Sequence, residues 1–294
     1  MNEATTQAAT IAVIGDVHLF WDAQDIEFFN HSGYDLLLFV GDLAAYTQVR
    51  GLTVARAISK LRVPALCIPG NHDGLHALQL GAEIAPRAGR LREVFAQGQD
   101  WRCRAIDAAL GPAELVGYSR HRLEPSGVPI NLIAARPHSI GGRRLACLRY
   151  LAAKYDVDSM DASVARLKAL VDQCDDAPLV FLAHNGPSGL GGRADSIWGC
   201  DFRRQEEDWG DQDLAEAVSY AKAQGRKVLA TVAGHMHRRT KKGLSRPGQV
   251  EKDGTLYVNA AEVPRHRIRE GVMRRHHVKL SVQHATAIAE DVWI

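Results

Sequence analysis

The sequence predicts an α/β fold in which two β-sheets pack together and helices cover their outer faces. Five short apolar runs indicate strands buried on both faces, because their apolar residues are continuous rather than alternating. Amphipathic stretches lie between these runs, and the last forty residues alternate apolar and polar positions as hairpin strands do. Strand–helix alternation followed by a β-rich tail is typical of two packed sheets with helices outside.

The predicted elements follow from local patterns along the chain. The apolar runs that indicate strands are 11–14, 35–40, 64–68, 178–183 and 227–233. Helices with one apolar stripe are predicted over 49–61, 161–174 and 211–224. Asp161 is predicted as the N-cap of the second helix, and Gly225 ends the third. Tail strands are predicted at 256–258, 277–283 and 285–294.

The middle of the chain, 86–142, contains many Gly, Pro and Arg residues and has weak periodicity, so we predict surface loops there. Polar motifs occur on both sides of this stretch, which argues against a linker between domains. We therefore predict one domain over 11–294, preceded by a flexible N-terminus over 1–10.

Composition excludes several classes of protein. The 46% apolar and 24% charged content is ordinary for a globular enzyme, and a net charge of +2 gives no field that would favour nucleic acid or membranes. No apolar run approaches the ~20 residues that span a bilayer. The polar first ten residues lack a secretion signal, so we expect a cytoplasmic protein. Five widely spaced cysteines indicate reduced, structural thiols.

Five short segments carry metal-ligand side chains where apolar runs stop. They are Gly15-Asp16-Val17-His18, Gly41-Asp42, Gly70-Asn71-His72-Asp73, His184-Asn185 and Gly234-His235-Met236-His237. One such pair would be noise and a lone histidine is usually an ordinary residue, but five in order after apolar runs predict a joint site. Two Asp, one Asn and four His suit two ions of Mn, Fe or Zn that share one carboxylate.

Spacing suggests how these side chains divide between the two ions. Asp16 and His18 can converge on one ion if the chain turns after the strand. His235 and His237 can each face a different ion, and Asp42 has two carboxylate oxygens with which to bridge both. Asn71 supplies a neutral oxygen and His184 completes the second set. Such ions lie ~3.5–4 Å apart and lower the pKa of a shared water towards neutrality, which yields a hydroxide nucleophile.

The five segments, in their order and spacing, resemble the calcineurin-like metallophosphoesterase superfamily. The resemblance covers residues 15–237 and implies a four-layer αββα sandwich with metals at the strand ends. By this resemblance, Asp16, His18 and His237 hold one ion, and Asn71, His184 and His235 hold the other, with Asp42 between them. It also implies that His72 faces the substrate as a general acid and that Asp73 orients the His72 ring.

Phosphoester chemistry supports these roles independently. Hydrolysis needs an in-line nucleophile, cations near the phosphate oxygens and a proton for the leaving alkoxide. An imidazole backed by a carboxylate donates that proton well near pH 7. The alternative for His72-Asp73 is a turn stabilised by the Asp side chain.

The phosphoester itself is less well defined. The chain departs from the Ser/Thr protein phosphatases of the superfamily at Leu19, at Asp73 and after Asp42, where an arginine is missing. Other segments, among them 135–139, 184–187 and 258–261, resemble a smaller branch that includes cyanobacterial phosphatase-like proteins linked to heterocyst maturation. That resemblance implies phosphomonoester hydrolysis, on a small molecule or a phosphoprotein.

Arg136, His138 and Arg193 are candidate substrate contacts, because each lies in a Gly/Pro-rich loop and an arginine fork matches a phosphate. The alternative is that these arginines are simply solvated. Trp198, Phe202 and Trp209 are predicted either to line one side of the site or to pack in the core.

Two other functions fit the same sequence. A phosphodiesterase or nuclease would use the same ions, although near-neutral charge argues against long nucleic acids. A non-catalytic scaffold would keep the fold without the chemistry, but every motif position here is filled.

Overall fold

A computed structural model describes residues 8–45, 48–85, 87–283 and 285–294. Within these ranges the strands are β1 (Ala9–Ile14), β2 (Leu36–Phe39), β3 (Ala65–Cys67), β4 (Glu114–Leu115), β5 (Ser119–Leu123), β6 (Ile130–Ala134), β7 (Leu179–Asn185), β8 (Val228–Gly234), β9 (Gln249–Lys252), β10 (Thr255–Asn259), β11 (His266–Arg269), β12 (Val272–Gln283) and β13 (Thr286–Trp293). The helices are α1 (Ala23–His31), α2 (Gln48–Ile58), α3 (Ala77–Ile84), α4 (Arg90–Phe95), α5 (Gln99–Leu110), α6 (Leu148–Tyr155), α7 (Met160–Asp172) and α8 (Gln212–Ala223). Residues 1–7 of the predicted flexible N-terminus lie outside the described residues, and β1 begins at Ala9.

The strands form two mixed sheets. One has the order β11-β12-β1-β2-β3-β4, with β13 also paired to β12. Its strands β1 to β4 are parallel, whereas β12 is antiparallel to β1. The other has the order β5-β6-β7-β8-β10-β9, with a parallel centre and antiparallel edge strands β5 and β9.

Three apolar clusters join the layers. The central cluster contains inward-facing residues of both sheets, such as Val13, Leu38, Val180 and Val232, and therefore lies between the sheets. A second cluster packs α6, α7 and α8 on the outer face of the second sheet, and a third packs α1, α2 and α5 on the first. Because both faces of the sheet centres are covered, the central strands β1, β2, β3, β7 and β8 are almost entirely buried and mostly apolar. The predicted α/β fold of two mixed sheets flanked by helices is confirmed.

Two sequence predictions about local structure are wrong. The stretch 86–142 contains α4, α5, β4, β5 and β6 rather than surface loops alone. Strand β4 has only two residues and β5 alternates exposed Arg with half-buried residues, so the periodicity of both is weak. Strand β6 is buried throughout, and Asn131 interrupts its short apolar run. Ser159, not Asp161, is the N-cap of α7, since its hydroxyl accepts the amide of Ala162. Gly225 follows α8 with a φ of +74°, as predicted for a helix stop.

The five cysteines are buried free thiols, as their spacing predicts. In the described part of the chain, no helix is both long enough and apolar enough to cross a bilayer.

Candidate metal centre

Parallel strands bring the predicted donors to one edge of the two sheets. Strands β1 and β2 lie side by side, as do β7 and β8, so their carboxyl ends meet at the same edge. Asp16 and Asp42 follow the first pair, while His184 lies in β7 and His235 follows β8. The predicted sites therefore come together although more than two hundred residues separate the first from the last.

The first donor group is Asp16, His18 and His237, whose ligand atoms all lie within 4.8 Å of one another. Nε2 of His237 lies 3.4 Å from Oδ2 of Asp16 and 3.1 Å from Nε2 of His18. Nδ1 of His18 is 3.1 Å from the carbonyl of Ala44, so when Nδ1 donates there, Nε2 presents a lone pair to the group.

The second donor group is Asp42, His184 and His235, again with ligand atoms within 4.8 Å. Nδ1 of His184 donates to the carbonyl of Val40 at 2.7 Å, so its Nε2 faces Oδ1 of Asn71 at 3.0 Å. Burial opposes a charge on this ring, but Asp42 and Asp16 raise the pKa of His184 above its usual range, which favours a proton between these two atoms. A divalent cation can take the place of that proton, so the donor set fits a cation.

Asp42 belongs to the second group and also approaches the first. Its Oδ2 is 3.6 Å from Nε2 of His18, and its Oδ1 is 3.7 Å from Nε2 of His184. A φ of +50° at Asp42, after +101° at Gly41, turns the chain sharply at the end of β2 and directs the carboxylate inward. Gly70 packs against Asp42 so closely that a Cβ there would clash with it.

The electrostatics favour an ionised, ligand-ready centre. Burial raises the pKa of Asp16, but the hydrogen bond from His237 and the charge of His184 bring it below its usual range. Burial likewise opposes ionisation of Asp42, yet His184 and other nearby histidines lower its pKa. Burial lowers the pKa of His235 to about 3, so this ring stays neutral and keeps a lone pair.

The contacts of Asp73 agree with the alternative predicted for His72-Asp73, a turn stabilised by the Asp side chain. The carboxylate of Asp73 accepts the amide of Gly70 at 2.9 Å within the turn, and it also accepts the amide of Ala44 at 3.1 Å from a second loop. Nδ1 of His72 bonds to the carbonyl of Ala45. That carbonyl therefore contributes to the orientation of the His72 ring. Burial and the charge of Asp42 raise the pKa of Asp73 to about 7.

Arg136 and His138 do not contact the cleft in this structure, which corrects their prediction as substrate contacts. Arg136 is 1% exposed, and its guanidinium pairs with Asp213 at 2.9 Å and with Asp211 at 3.0 Å. His138 is buried, and its Nδ1 lies 3.0 Å from the carbonyl of Gly70. Burial lowers its pKa to about 4. Loop position alone could not reveal these internal partners.

Of Arg193 and the three predicted aromatic residues, only Phe202 lines the cleft. Arg193 is exposed and pairs with Asp195 at 2.9 Å, outside the residues that line the cleft. Trp198 and Trp209 are buried in the core, in agreement with the second of the two alternatives. Phe202 is 46% exposed and lines the cleft.

The cleft over the donor groups has a volume of about 500 Å³ and includes residues that the sequence analysis missed. Among them are Phe20, Asp201, Arg239, Lys241, Arg246 and Val263. A signal for some of them was present: the basic run 238–242, interrupted only by Thr240, directly follows the last motif. Because Arg239 and Lys241 lie only two and four residues beyond His237, they reach the same cleft.

A third donor group, Asp22, Asp25 and His266, lies elsewhere. Arg265 binds Asp25 at 2.7 Å, and Arg275 binds Asp22 at 2.6 Å. Since guanidinium groups already compensate these carboxylates, we interpret this group as a structural ion-pair network.

Comparison with known proteins agrees with this site. The family model described as calcineurin-like phosphoesterase matches residues 9–239, which include both donor groups. The crystal structure of TT1561 from Thermus thermophilus is similar, with a TM-score of 0.52 and 12% identity over 97% of this chain and 99% of that one. A putative 5'-nucleotidase from Staphylococcus aureus has a TM-score of 0.50 and 11% identity, over 97% of this chain and 54% of that one.

At these identities the solved structures show a shared fold alone, and curated protein sequences gave no match. The family model carries the assignment, since it spans most of the chain and all the strand ends that bear donors. The chain belongs to the calcineurin-like phosphoesterases and is a hydrolase of phosphoester bonds.

Proposed function

We propose that the protein is a phosphomonoesterase that works with two divalent ions. Asp16, His18 and His237 would hold one ion, Asn71, His184 and His235 the other, and Asp42 both. The observation that supports this most is the position of Asp42, whose two oxygens lie 3.6 Å and 3.7 Å from donor nitrogens of the two groups.

The chemical types of the donor side chains support Mn, Fe or Zn as the bound metals. Imidazole, carboxylate and amide ligands suit Mn, Fe or Zn better than Ca or an all-sulfur site. When bound, two such ions supply a nucleophile at neutral pH and offset charge on the phosphate oxygens.

His72 is proposed as the general acid. Its backbone amide donates to Oδ1 of Asp42 at 2.8 Å, and its ring Nδ1 bonds to the carbonyl of Ala45. Both contacts fix the ring at the cleft wall. The protonated ring would give its Nε2 proton to the leaving oxygen and become neutral, with Nδ1–H still donating to the carbonyl of Ala45.

The proposed substrate is a phosphomonoester, on a small molecule or a protein. The resemblance to the phosphatase-like branch supports a monoester, and the cations Arg239 and Lys241 at the cleft support an anionic substrate. A net charge of +2 argues against long nucleic acids.

The test compares p-nitrophenyl phosphate with bis-p-nitrophenyl phosphate in the presence of Mn²⁺. We expect faster release from the monoester, and a loss of at least about a hundredfold in Asp42→Asn. Lys242→Ala, at an exposed position outside the cleft, serves as the control and should keep full activity.

Each alternative has its own signature in this test. Preference for the diester would support a phosphodiesterase, and full activity in Asp42→Asn would contradict the dinuclear site. Hydrolysis of neither ester, together with little bound metal, would support a scaffold.

A further inference from the structure

We propose that the cleft contains a leaving-group subsite, formed by Phe20, Phe202, Arg239 and Lys241, that binds a planar group carrying its own negative charge. All four residues line the cleft above the donor groups. The inference rests on the proposed phosphomonoesterase for the identity of the leaving group, but the subsite is a property of these side chains.

The first argument is a charge balance. Two divalent ions and the protonated ring of His72 would carry five positive charges, which Asp16, Asp42, the hydroxide nucleophile and a phosphate dianion would offset. Arg239 and Lys241 are therefore in excess of what a transferred phosphate needs. Both are exposed side chains at the cleft, so a second anionic group of the substrate can reach them.

The one additional acid of the cleft, among the described residues, is already compensated. Asp201 lies 3.2 Å from Nη2 of the buried Arg246, and it accepts the backbone amide of Lys241 at 2.6 Å. The charge of Asp201 is thus offset by Arg246, and the cleft keeps a positive excess.

The same contacts hold the subsite in place relative to the metal donors. Arg246 donates from Nη1 to the carbonyl of His237 at 2.6 Å and from Nη2 to the carbonyl of Gly199 at 2.8 Å. Through Asp201, it therefore connects the segment of Lys241 to the backbone of a donor residue. A preorganised loop of this kind loses little entropy when an anion binds.

The second argument is the pair of aromatic rings. Phe20 is 39% exposed and Phe202 is 46% exposed, although both belong to a concave surface. Phe202 packs edge-on against Trp209 with ring centroids 5.1 Å apart, and Nζ of Lys241 lies 5.6 Å from its ring. Exposed rings next to cations in a cleft favour planar, anionic ligands.

The kinetic test uses phenyl phosphate and 4-carboxyphenyl phosphate with the Mn²⁺-loaded protein. The measured quantity is the ratio of their kcat/KM values in each variant, because comparison of ratios between variants removes the intrinsic difference between the two leaving groups. We expect Arg239→Ala and Lys241→Ala to lower the preference for the carboxylated ester about three- to tenfold, mainly through KM.

The matched control is Lys242→Ala, because Lys242 is the exposed neighbour that does not line the cleft. Its ratio should equal that of the wild type. Raised salt should also reduce the wild-type preference, since exposed charges are screened. An unchanged ratio in both cleft variants would overturn the subsite.

A binding measurement keeps the test independent of hydrolysis. Ligand-observed NMR follows the binding of 4-hydroxybenzenesulfonate, an aromatic anion without phosphate, to the 294-residue chain without added metal. We expect its Kd to rise at least about threefold in Lys241→Ala and in Phe202→Leu, and to stay constant in Lys242→Ala. Equal binding by all variants would overturn the subsite, whereas failed hydrolysis with intact binding would remove only the proposed reaction.

Discussion

The backbone amide of His72 donates a 2.8 Å hydrogen bond to Oδ1 of Asp42, the carboxylate that lies between the two donor groups. One side chain thus sets both the donor geometry and the turn that carries the proposed acid. A substitution of Asp42 therefore disturbs the metal site and the position of His72 together. Variants at other residues are needed to measure the two effects separately.

Gly70 offers a way to disturb the donor site through the backbone. A Cβ at this position would clash with the carboxylate and amide of Asp42 and would lie 2.6 Å from Cε1 of His184. We expect Gly70→Ala to lose Mn²⁺ retention and activity, measured by metal analysis and p-nitrophenol release. The control is Gly81→Ala in α3, where a Cβ meets nothing within 4 Å.

Gly81→Ala should keep its metal and raise the free energy of unfolding by about 0.5–1 kcal/mol, since alanine favours the helix interior. Normal metal retention in Gly70→Ala would show that the close approach of Gly70 to the donors does not shape the site.

His72→Gln separates acid catalysis from metal binding. We expect kcat to fall about 10²- to 10⁴-fold on phenyl phosphate, whose leaving group needs a proton. The loss should be smaller on p-nitrophenyl phosphate, whose leaving group is a better one, and metal content should match that of the wild type. Equal losses on both esters would mean that His72 does not protonate the leaving oxygen.

The meeting of the candidate donors at one edge was predictable from sequence because the position of each depends on a local rule. Asp16, Asp42 and His235 follow apolar runs, and parallel strands necessarily end at one edge. The ion-pair partners of Arg136 and the contact of Asp73 with the Ala44 amide were not predictable, since they come from distant segments that only the folded chain brings together. The contact of Asp73 with Gly70 lies within the turn that the sequence offered as an alternative. The prediction of loops over 86–142 was wrong for a related reason. The short edge strands β4 and β5 form because they pair with neighbouring strands, and their own sequence pattern indicates this only weakly.

Arg136→Met tests the corrected role of this arginine. Removal of the guanidinium leaves the buried carboxylates of Asp211 and Asp213 without their cation, so we expect a loss of about 3–5 kcal/mol in the free energy of unfolding. Arg193→Ala, at an exposed ion pair, should cost less than about 1 kcal/mol. Urea denaturation measures both losses. A raised KM in Arg136→Met with an unchanged free energy of unfolding would show instead that Arg136 contacts the substrate.

His277 gives the fold a defined pH dependence. Its Nε2 lies 2.7 Å from the hydroxyl oxygen of Tyr34, and burial, with the charges of Arg265 and His276, lowers the pKa of His277 to about 3. The unfolded chain binds this proton below about pH 6.5 while the folded one does not. Stability is therefore lost as the pH falls from 6.5 towards 3, by up to about 1.4 kcal/mol per pH unit.

Urea denaturation of His277→Gln at pH 7 and pH 5 checks this prediction. The difference in unfolding free energy between the two pH values should shrink by about 1–2 kcal/mol relative to the wild type. If the unfolding free energy of His277→Gln changed between pH 7 and pH 5 as much as that of the wild type, groups other than His277 would cause the pH dependence.

The metal content of the purified protein after equilibration with Mn²⁺ and removal of free ions tests the central claim most directly. Elemental analysis should find two ions per chain in the wild type and clearly fewer in Asp42→Asn, with Lys242→Ala equal to the wild type. Fewer than one ion per chain in the wild-type protein would contradict the dinuclear centre.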